Sequence, residues 1–352
     1  FSRCFNALRR TQITDLSAAS DARETALLSW INSIDSLAGC EPTPASEDAS
    51  FRRYFRLQTA KQSFIVMDAP PAQEDSLPFV LVAGYLETMG LNAPRVIEAD
   101  LEAGFLLLTD LGERLYLSEL RNEPRRAAPL YADAMDALVV MQQHGAAFQA
   151  LLPPYDERLL RFEMSLFHDW LCGTHLGLQF SDADEQAWQA LCDALVDNAL
   201  HQPQVFVHRD YHSRNLMVTP TNNPGILDFQ DSVEGPLTYD LVSLLKDCYV
   251  RWPADEVRNW ALQFYERLGD GLRAQIDATL FRRYFELMGV QRHLKAAGIF
   301  ARLNHRDDKD GYMADIPRTL SYIVELGEDY EELQFVVALI EERVLPKLGG
   351  GR

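Results

Sequence analysis

Apolar positions recur every three to four residues over 21–38 (Ala26, Leu27, Trp30, Ile31, Ile34 and Leu37), a spacing that predicts an amphipathic helix ending near Gly39. Two short strand-like runs follow at 51–57 and 64–67, and Pro70-Pro71 separates them from a helical pattern over about 77–89. Residues 94–97 and 105–109 read as two further strands, the second an unbroken apolar run of the kind found in a covered sheet. Asp110-Leu111-Gly112 interrupts it. From about 113 onward the period is helical, with helices predicted over 127–144, 157–177, 184–199, 238–250, 254–268, 274–301 and 328–345. Two brief strand-like runs, 205–207 and 225–227, break that pattern, and each leads directly into a cluster of polar, chargeable residues. There is no internal repeat and no low-complexity segment.

The chain of 352 residues, 47% hydrophobic and 24% charged, has an ordinary globular composition and is long enough for two lobes with separate cores. Every long apolar stretch is interrupted by a charge before the roughly 20 residues of a membrane span, so an integral membrane protein is not expected. The first ten residues lack both the apolar core of a secretory signal and an initiator Met, and are read as a trimmed end. The five cysteines are scattered without a Cys-x-x-Cys pair, which argues against a disulfide framework or a zinc site and for a cytoplasmic location. A formal net charge of −19 repels phosphate backbones and anionic lipid, so neither nucleic acid nor a membrane is the expected partner. A small molecule is. Composition leaves the oligomeric state open.

The segment richest in chemistry is His208-Arg209-Asp210-Tyr211-His212-Ser213-Arg214-Asn215, with Asp228-Phe229-Gln230 beginning thirteen positions after Asn215. Phosphoryl transfer needs a carboxylate to orient or deprotonate the attacking hydroxyl, and hard oxygen ligands to hold magnesium against the nucleotide phosphates. This spacing supplies the carboxylate and one ligand from one loop and a second ligand from the next. Taken singly, each Asp reads equally well as a cap or an Asx-turn. His208-x-Asp210-x-His212 lacks the further His or Cys partners that complete a zinc site. Ser213 beside His212 lacks a Gly-x-Ser-x-Gly elbow.

Together with Gly235-Pro236-x-x-Tyr239-Asp240-Leu241, these motifs resemble the catalytic core of the aminoglycoside-phosphotransferase and choline-kinase group. The resemblance implies an α+β fold of the bilobal protein-kinase type. A small antiparallel-sheet lobe would span 1–108, a hinge 109–112, and a large, mostly helical lobe 113–352. It further implies an enzyme using ATP and Mg2+, with Asp210 as catalytic base, Asn215 and Asp228 as metal ligands, and His208 and Asp240 supporting the catalytic loop. By position, Phe105 to Gly112 matches the family's hinge, which makes Thr109, Asp110 and Leu111 the adenine-contact candidates. An ordinary buried strand ending in a turn has the same pattern.

A protein kinase would carry a glycine-rich loop and a Val-Ala-Ile-Lys strand. In their places stand Ala45 to Arg56, rich in Arg, and Phe64-Ile65-Val66-Met67-Asp68, with no Lys. Strand alternation puts Arg52, Tyr54 and Arg56 on one face and Arg53 with Phe51 and Phe55 on the other. Ser50, Phe51, Arg52 and Arg53 are therefore the phosphate-side candidates, with an arginine supplying the absent lysine's charge. A solvated strand face would look the same.

Ala49 to Arg56, Met67-Asp68-Ala69-Pro70-Pro71, Gln291 to Lys295 and Gly298 to Leu303 are similar to one branch in particular, the bacterial anomeric kinases of N-acetylmuramate and N-acetylglucosamine in cell-wall recycling. A sugar is then the expected partner. Aminoglycoside, choline and homoserine kinases of the same fold, and an inactive nucleotide-binding scaffold, are the alternatives. Independently, 282–309 holds seven Lys or Arg against three acids, with Arg292, Lys295 and Arg302 near one helix face. Such a face suits a substrate carboxylate, or simply a solvated surface. Those three, with His212 and Arg214 of the catalytic loop, are the substrate candidates.

Overall fold

The computed structural model describes residues 22–46 and 51–349. The chain divides into two compact units, one running to Gly84 and resuming over Pro94–Leu111, the other made of Tyr85–Ala93 and everything from Gly112.

In the first unit, helix α1 (22–33) precedes strands β1 (Thr43–Ser46), β2 (Arg53–Gln58) and β3 (Ser63–Asp68). Helix α2 (Leu77–Thr88) then leads to β4 (Val96–Asp100) and β5 (Phe105–Thr109). The five strands form one antiparallel sheet in the order β1-β2-β3-β5-β4. Leu27 and Ile31 of α1 pack with Leu37 on Leu57, Phe64, Val66, Phe105 and Leu107. The predicted helical stripe and the alternate residues of three strands thus close one core. β5 is buried on both faces, as its continuous apolar run requires. β1 lies in a stretch to which the sequence pattern assigns no element, because Pro44 and the small residues around it carry no strand signal. At the β5 entrance, Gly104 has φ +75°, and a Cβ there would meet the Ala69 carbonyl oxygen at 2.0 Å, so only glycine fits.

The second unit is mostly helical: α3 (Tyr116–Asn122), α4 (Ala127–His144), α5 (Glu157–Leu166) and α6 (Asp182–Leu200) come first. Two short antiparallel pairs interrupt them, β6 (Gln204–Val207) with β9 (Val233–Pro236), and β7 (Leu216–Met217) with β8 (Gly225–Ile226). After β9 come α7 (Tyr239–Leu245), α8 (Ala254–Arg267), the short α9 (Asp270–Arg273), α10 (Ala278–Asp307) and α11 (Ile316–Val324). The predicted helix over 157–177 is α5 continued by a π-helical stretch, Phe167–His175. The one predicted over 328–345 is a series of short 3-10, α and π turns. Asp156 caps α5 through the Leu159 amide, and Asp277 caps α10 through that of Leu280. α10 is the unit's central helix, packed on α5, α6, α7, α8 and α11. Gly298 makes one crossing possible, since a Cβ there would lie 2.2 Å from the Leu166 carbonyl carbon and 2.3 Å from the Phe167 nitrogen. Among the described residues no helix is long and apolar enough to cross a membrane.

Candidate active site

β6 ends at Val207 and delivers the chain into 208–215, and β8 delivers it into 227–232, so each strand end presents one loop of chargeable residues. The first loop is held by α7. Asp240, fully buried, accepts hydrogen bonds from the amides of His208 (2.6 Å) and Arg209 (2.9 Å). Burial pushes the Asp240 carboxyl up to about 7, against the pull of those two amides. Burial also lowers the His208 imidazole to about 4, so the ring is neutral near pH 7 and its Nδ1 accepts from the Asp210 amide at 3.2 Å. Arg209 has φ +76°, a left-handed conformation that a non-glycine residue keeps only when its surroundings enforce it. Its amide is held by Asp240, and its side chain is anchored by Glu163 of α5, at 2.6 Å.

Glu163 is a hub. It also forms an ion pair with Lys295 of α10 at 2.9 Å and accepts hydrogen bonds from the Tyr155 hydroxyl and from Gln291 Nε2. Burial alone would raise its carboxyl, but Lys295 and Arg209 hold it below the ordinary range. Lys295 additionally donates to the Tyr239 hydroxyl at 2.8 Å, so the ammonium is held by two partners inside the protein.

Asp210, half-buried, opens onto a cavity of about 120 Å³. His212, Arg292, Lys295 and Asp247 are among its polar lining residues, and Tyr249, Ile299 and Phe300 among its apolar ones. Burial would raise the Asp210 carboxyl, yet the positive groups around it, Lys295 first, with Arg209 and Arg292, keep it below the usual carboxylate value. Asp210 is therefore an anion at neutral pH. The Arg292 guanidinium lies over the Tyr239 ring at 4.8 Å and donates weakly to the Arg209 carbonyl at 3.5 Å. Its buried Nε, like Nδ1 of His212, lacks a hydrogen-bond partner among the described residues. Two buried polar atoms without partners at one cavity are what a polar ligand would satisfy.

Asn215 and Asp228 are brought together, with Asn215 Nδ2 3.1 Å from Asp228 Oδ2. Gln230 Nε2 donates to the other oxygen at 2.8 Å, and Asp228 itself has φ +61°. The Asn215–Asp228 contact is made by the amide nitrogen of Asn215; its amide oxygen and the Asp228 carboxylate are hard donors of the kind that suits magnesium, which completes its shell with water and phosphate rather than a protein cage.

The remaining candidates fall elsewhere. Arg214 is exposed and stacks on Tyr249 and Tyr312 at 4.5 and 5.2 Å. Arg302 is outside the cavity lining, with its own buried Nε unpartnered among the described residues. In the first unit Arg52 pairs with Glu74 at 3.2 Å, and the Phe51 amide donates to the same carboxylate. Arg53 binds the buried Asp68 through Nε at 2.9 Å, a carboxylate shared with Arg23. Thr109 Oγ1 accepts from the Arg95 amide at 2.9 Å, Asp110 pairs with Arg56 at 2.7 Å, and Leu111 is half-buried. Ser50 lies outside the described residues.

Sequence reading missed Glu163, Asp247, Tyr249 and Phe300. Glu163 carried a signal: it falls on the apolar stripe of Leu160, Met164 and Phe167, where an acid has to be buried and therefore paired.

Residues 41–278 match the model of the Phosphotransferase enzyme family, and the chain belongs to that family. Its sequence is 48% identical over 303 residues to an N-acetylmuramate/N-acetylglucosamine kinase of Pseudomonas putida, covering 83% of this chain and 88% of that one. To the protein of the same description from Pseudomonas aeruginosa it is 46% identical over 316 residues, 87% and 92% of the two chains. In structure it resembles an ethanolamine kinase of Plasmodium vivax with a TM-score of 0.59 over 86% of this chain and 87% of that one, at 11% identity. The fold is thus the kinase-like one, α+β, with a five-stranded antiparallel sheet and a mostly helical remainder.

Proposed function

We propose that this chain is a cytoplasmic, ATP- and magnesium-dependent kinase that phosphorylates the anomeric hydroxyl of N-acetylmuramate and N-acetylglucosamine. The observation that carries the choice of acceptor is the cavity at Asp210. Its lining combines the charges of Arg292 and Lys295 with the rings of Tyr249 and Phe300. A pyranose has apolar C–H faces and hydroxyl edges, and this lining offers aromatic rings for the first and charged groups for the second. A cationic acceptor such as choline or an aminoglycoside would meet Arg292, a like charge. The net charge of −19 belongs to the whole chain and does not describe this pocket.

In this reading Asp210 accepts the proton of the anomeric hydroxyl as its oxygen attacks the γ-phosphorus of ATP. The bond to ADP breaks, and the products are ADP and the sugar 1-phosphate. A hemiacetal hydroxyl is more acidic than an ordinary alcohol and is matched to a carboxylate whose basicity Lys295 and its neighbours have lowered. Asn215 and Asp228 would hold the magnesium ion, whose chemistry is to neutralise charge on the nucleotide phosphates. In the first unit Arg52, Arg53 and residues 109–111 remain the nucleotide-contact candidates. A reducing compartment suits the thiols of Cys172 and Cys192, which burial pushes up to about 12.

The test is ADP release and phosphorus NMR with a panel of acceptors. N-acetylmuramate and N-acetylglucosamine should yield 1-phosphates, while kanamycin, choline and homoserine should release no ADP. Phosphorylation at another hydroxyl would remove the anomeric assignment, and nucleotide binding without acceptor-dependent turnover would indicate a scaffold.

A second experiment separates the cations. N-acetylmuramate differs from N-acetylglucosamine by a lactyl carboxylate, and Arg292 has an unpartnered Nε at the cavity, whereas Lys295 is committed to Glu163. Arg292→Ala should therefore lower kcat/KM for N-acetylmuramate relative to N-acetylglucosamine by about ten- to hundred-fold, the effect of a lost charge-assisted hydrogen bond. Lys295→Ala should depress both sugars alike. Equal losses for Arg292→Ala would make that residue structural.

A further inference from the structure

Ser213 lies between Asp210 and Asn215 on the catalytic loop. Its amide donates to Asp247 Oδ2 at 3.1 Å, and its hydroxyl donates to the same oxygen. The other oxygen, Oδ1, accepts from the Tyr249 amide at 2.8 Å. Tyr249 is part of the cavity's aromatic wall, and its ring is packed edge-on by His212. Asp247 is buried and follows Asp240 by seven residues, two helical turns, so one end of α7 fixes the loop at His208 and Arg209 and the segment beyond its other end fixes it at Ser213. The Asp240 contact touches the loop alone. The Asp247 contact joins the loop to the wall.

We propose that Asp247 is a positioning residue of the transfer reaction, holding Tyr249 in register with the loop that carries Asp210. Each of its oxygens accepts a hydrogen bond from a different segment of the chain, which makes the junction stiffer than a single contact would. An asparagine could accept on one side only and would turn an NH2 group toward a donor on the other. The wall would then shift against the loop, with the fold and the metal-ligand pair left in place. Misplacement of an acceptor by about 1 Å is enough to cost a large part of the rate.

This rests on the sugar-kinase reading, and the experiment keeps the two apart. ADP and sugar phosphate are measured separately for the wild-type chain, Asp247→Asn and Ser213→Ala, with ATP and N-acetylglucosamine. Asp247→Asn should raise KM for the sugar about tenfold, with KM for ATP changed less than about twofold. It should also form more ADP than sugar phosphate, because water takes the place of a badly held acceptor. Ser213→Ala keeps the amide bond and should move both quantities the same way by less, and it carries the test if Asp247→Asn does not fold. An unmoved sugar KM with a one-to-one product ratio overturns the proposal, as does an equal rise in both KM values. A wild-type chain without acceptor-dependent ADP release refutes the sugar-kinase reading instead.

Discussion

Asp210→Asn is expected to lower turnover by about 10²–10⁴-fold, the range of a lost general base, while nucleotide affinity and the melting temperature stay near those of the wild type. The substitution preserves volume and removes only the proton-accepting charge. Asp210 sits near Lys295, Arg209 and Arg292, so losing its charge removes an attraction, but Glu163 remains as the counter-charge of Lys295 and Arg209 and limits the cost to the fold. The fold therefore has no reason to fail, and a lower rate reports chemistry. Single-turnover rates with saturating ATP and sugar are the measurement. A variant as fast as the wild type would take Asp210 out of the mechanism.

Glu163→Ala should be the most destabilising of the single substitutions considered, by about 3–5 kcal/mol, because it leaves Lys295 and Arg209 buried or nearly so without their shared counter-ion. Tyr155 and Gln291 lose an acceptor as well. Glu163→Gln keeps the shape and one acceptor oxygen and should lose less. Urea unfolding decides the matter: a midpoint shifted down with an unchanged slope fits a lost buried ion pair, whereas a shift under about 0.5 kcal/mol would mean that water replaces the carboxylate at little cost. Arg209 supplies the left-handed turn before Asp210, so activity should fall along with stability.

Much of the fold was legible because it is written in local periods. The stripe of Leu27 and Ile31, the apolar run of β5 and the 127–144 helix all appear where spacing puts them. The pairing of Asn215 with Asp228 was also readable, since two short strands bring loops of fixed length side by side. What the sequence hid is mostly long-range. β7 and β9 are too short for alternation to register, and the π-helical stretch after α5 has the same apolar spacing as an α-helix. Arg292 and Lys295 looked equivalent three residues apart on one helix, and only Glu163, more than a hundred residues earlier, separates them by neutralising one. Asp247 has no motif at all, and its meaning comes from touching Ser213 and Tyr249 at once.

Five of the cavity's lining residues, Arg292, Lys295, Ala296, Ile299 and Phe300, belong to α10, whose neighbours enclose it along most of its length. A backbone so enclosed opens to solvent only when the whole unit does, on the slowest timescale the molecule has. One wall of the acceptor cavity is therefore as rigid as the fold is stable. The give needed to admit and release a sugar falls to a segment outside α10, the Asp310–Asp315 turn whose Tyr312 stacks on Phe300.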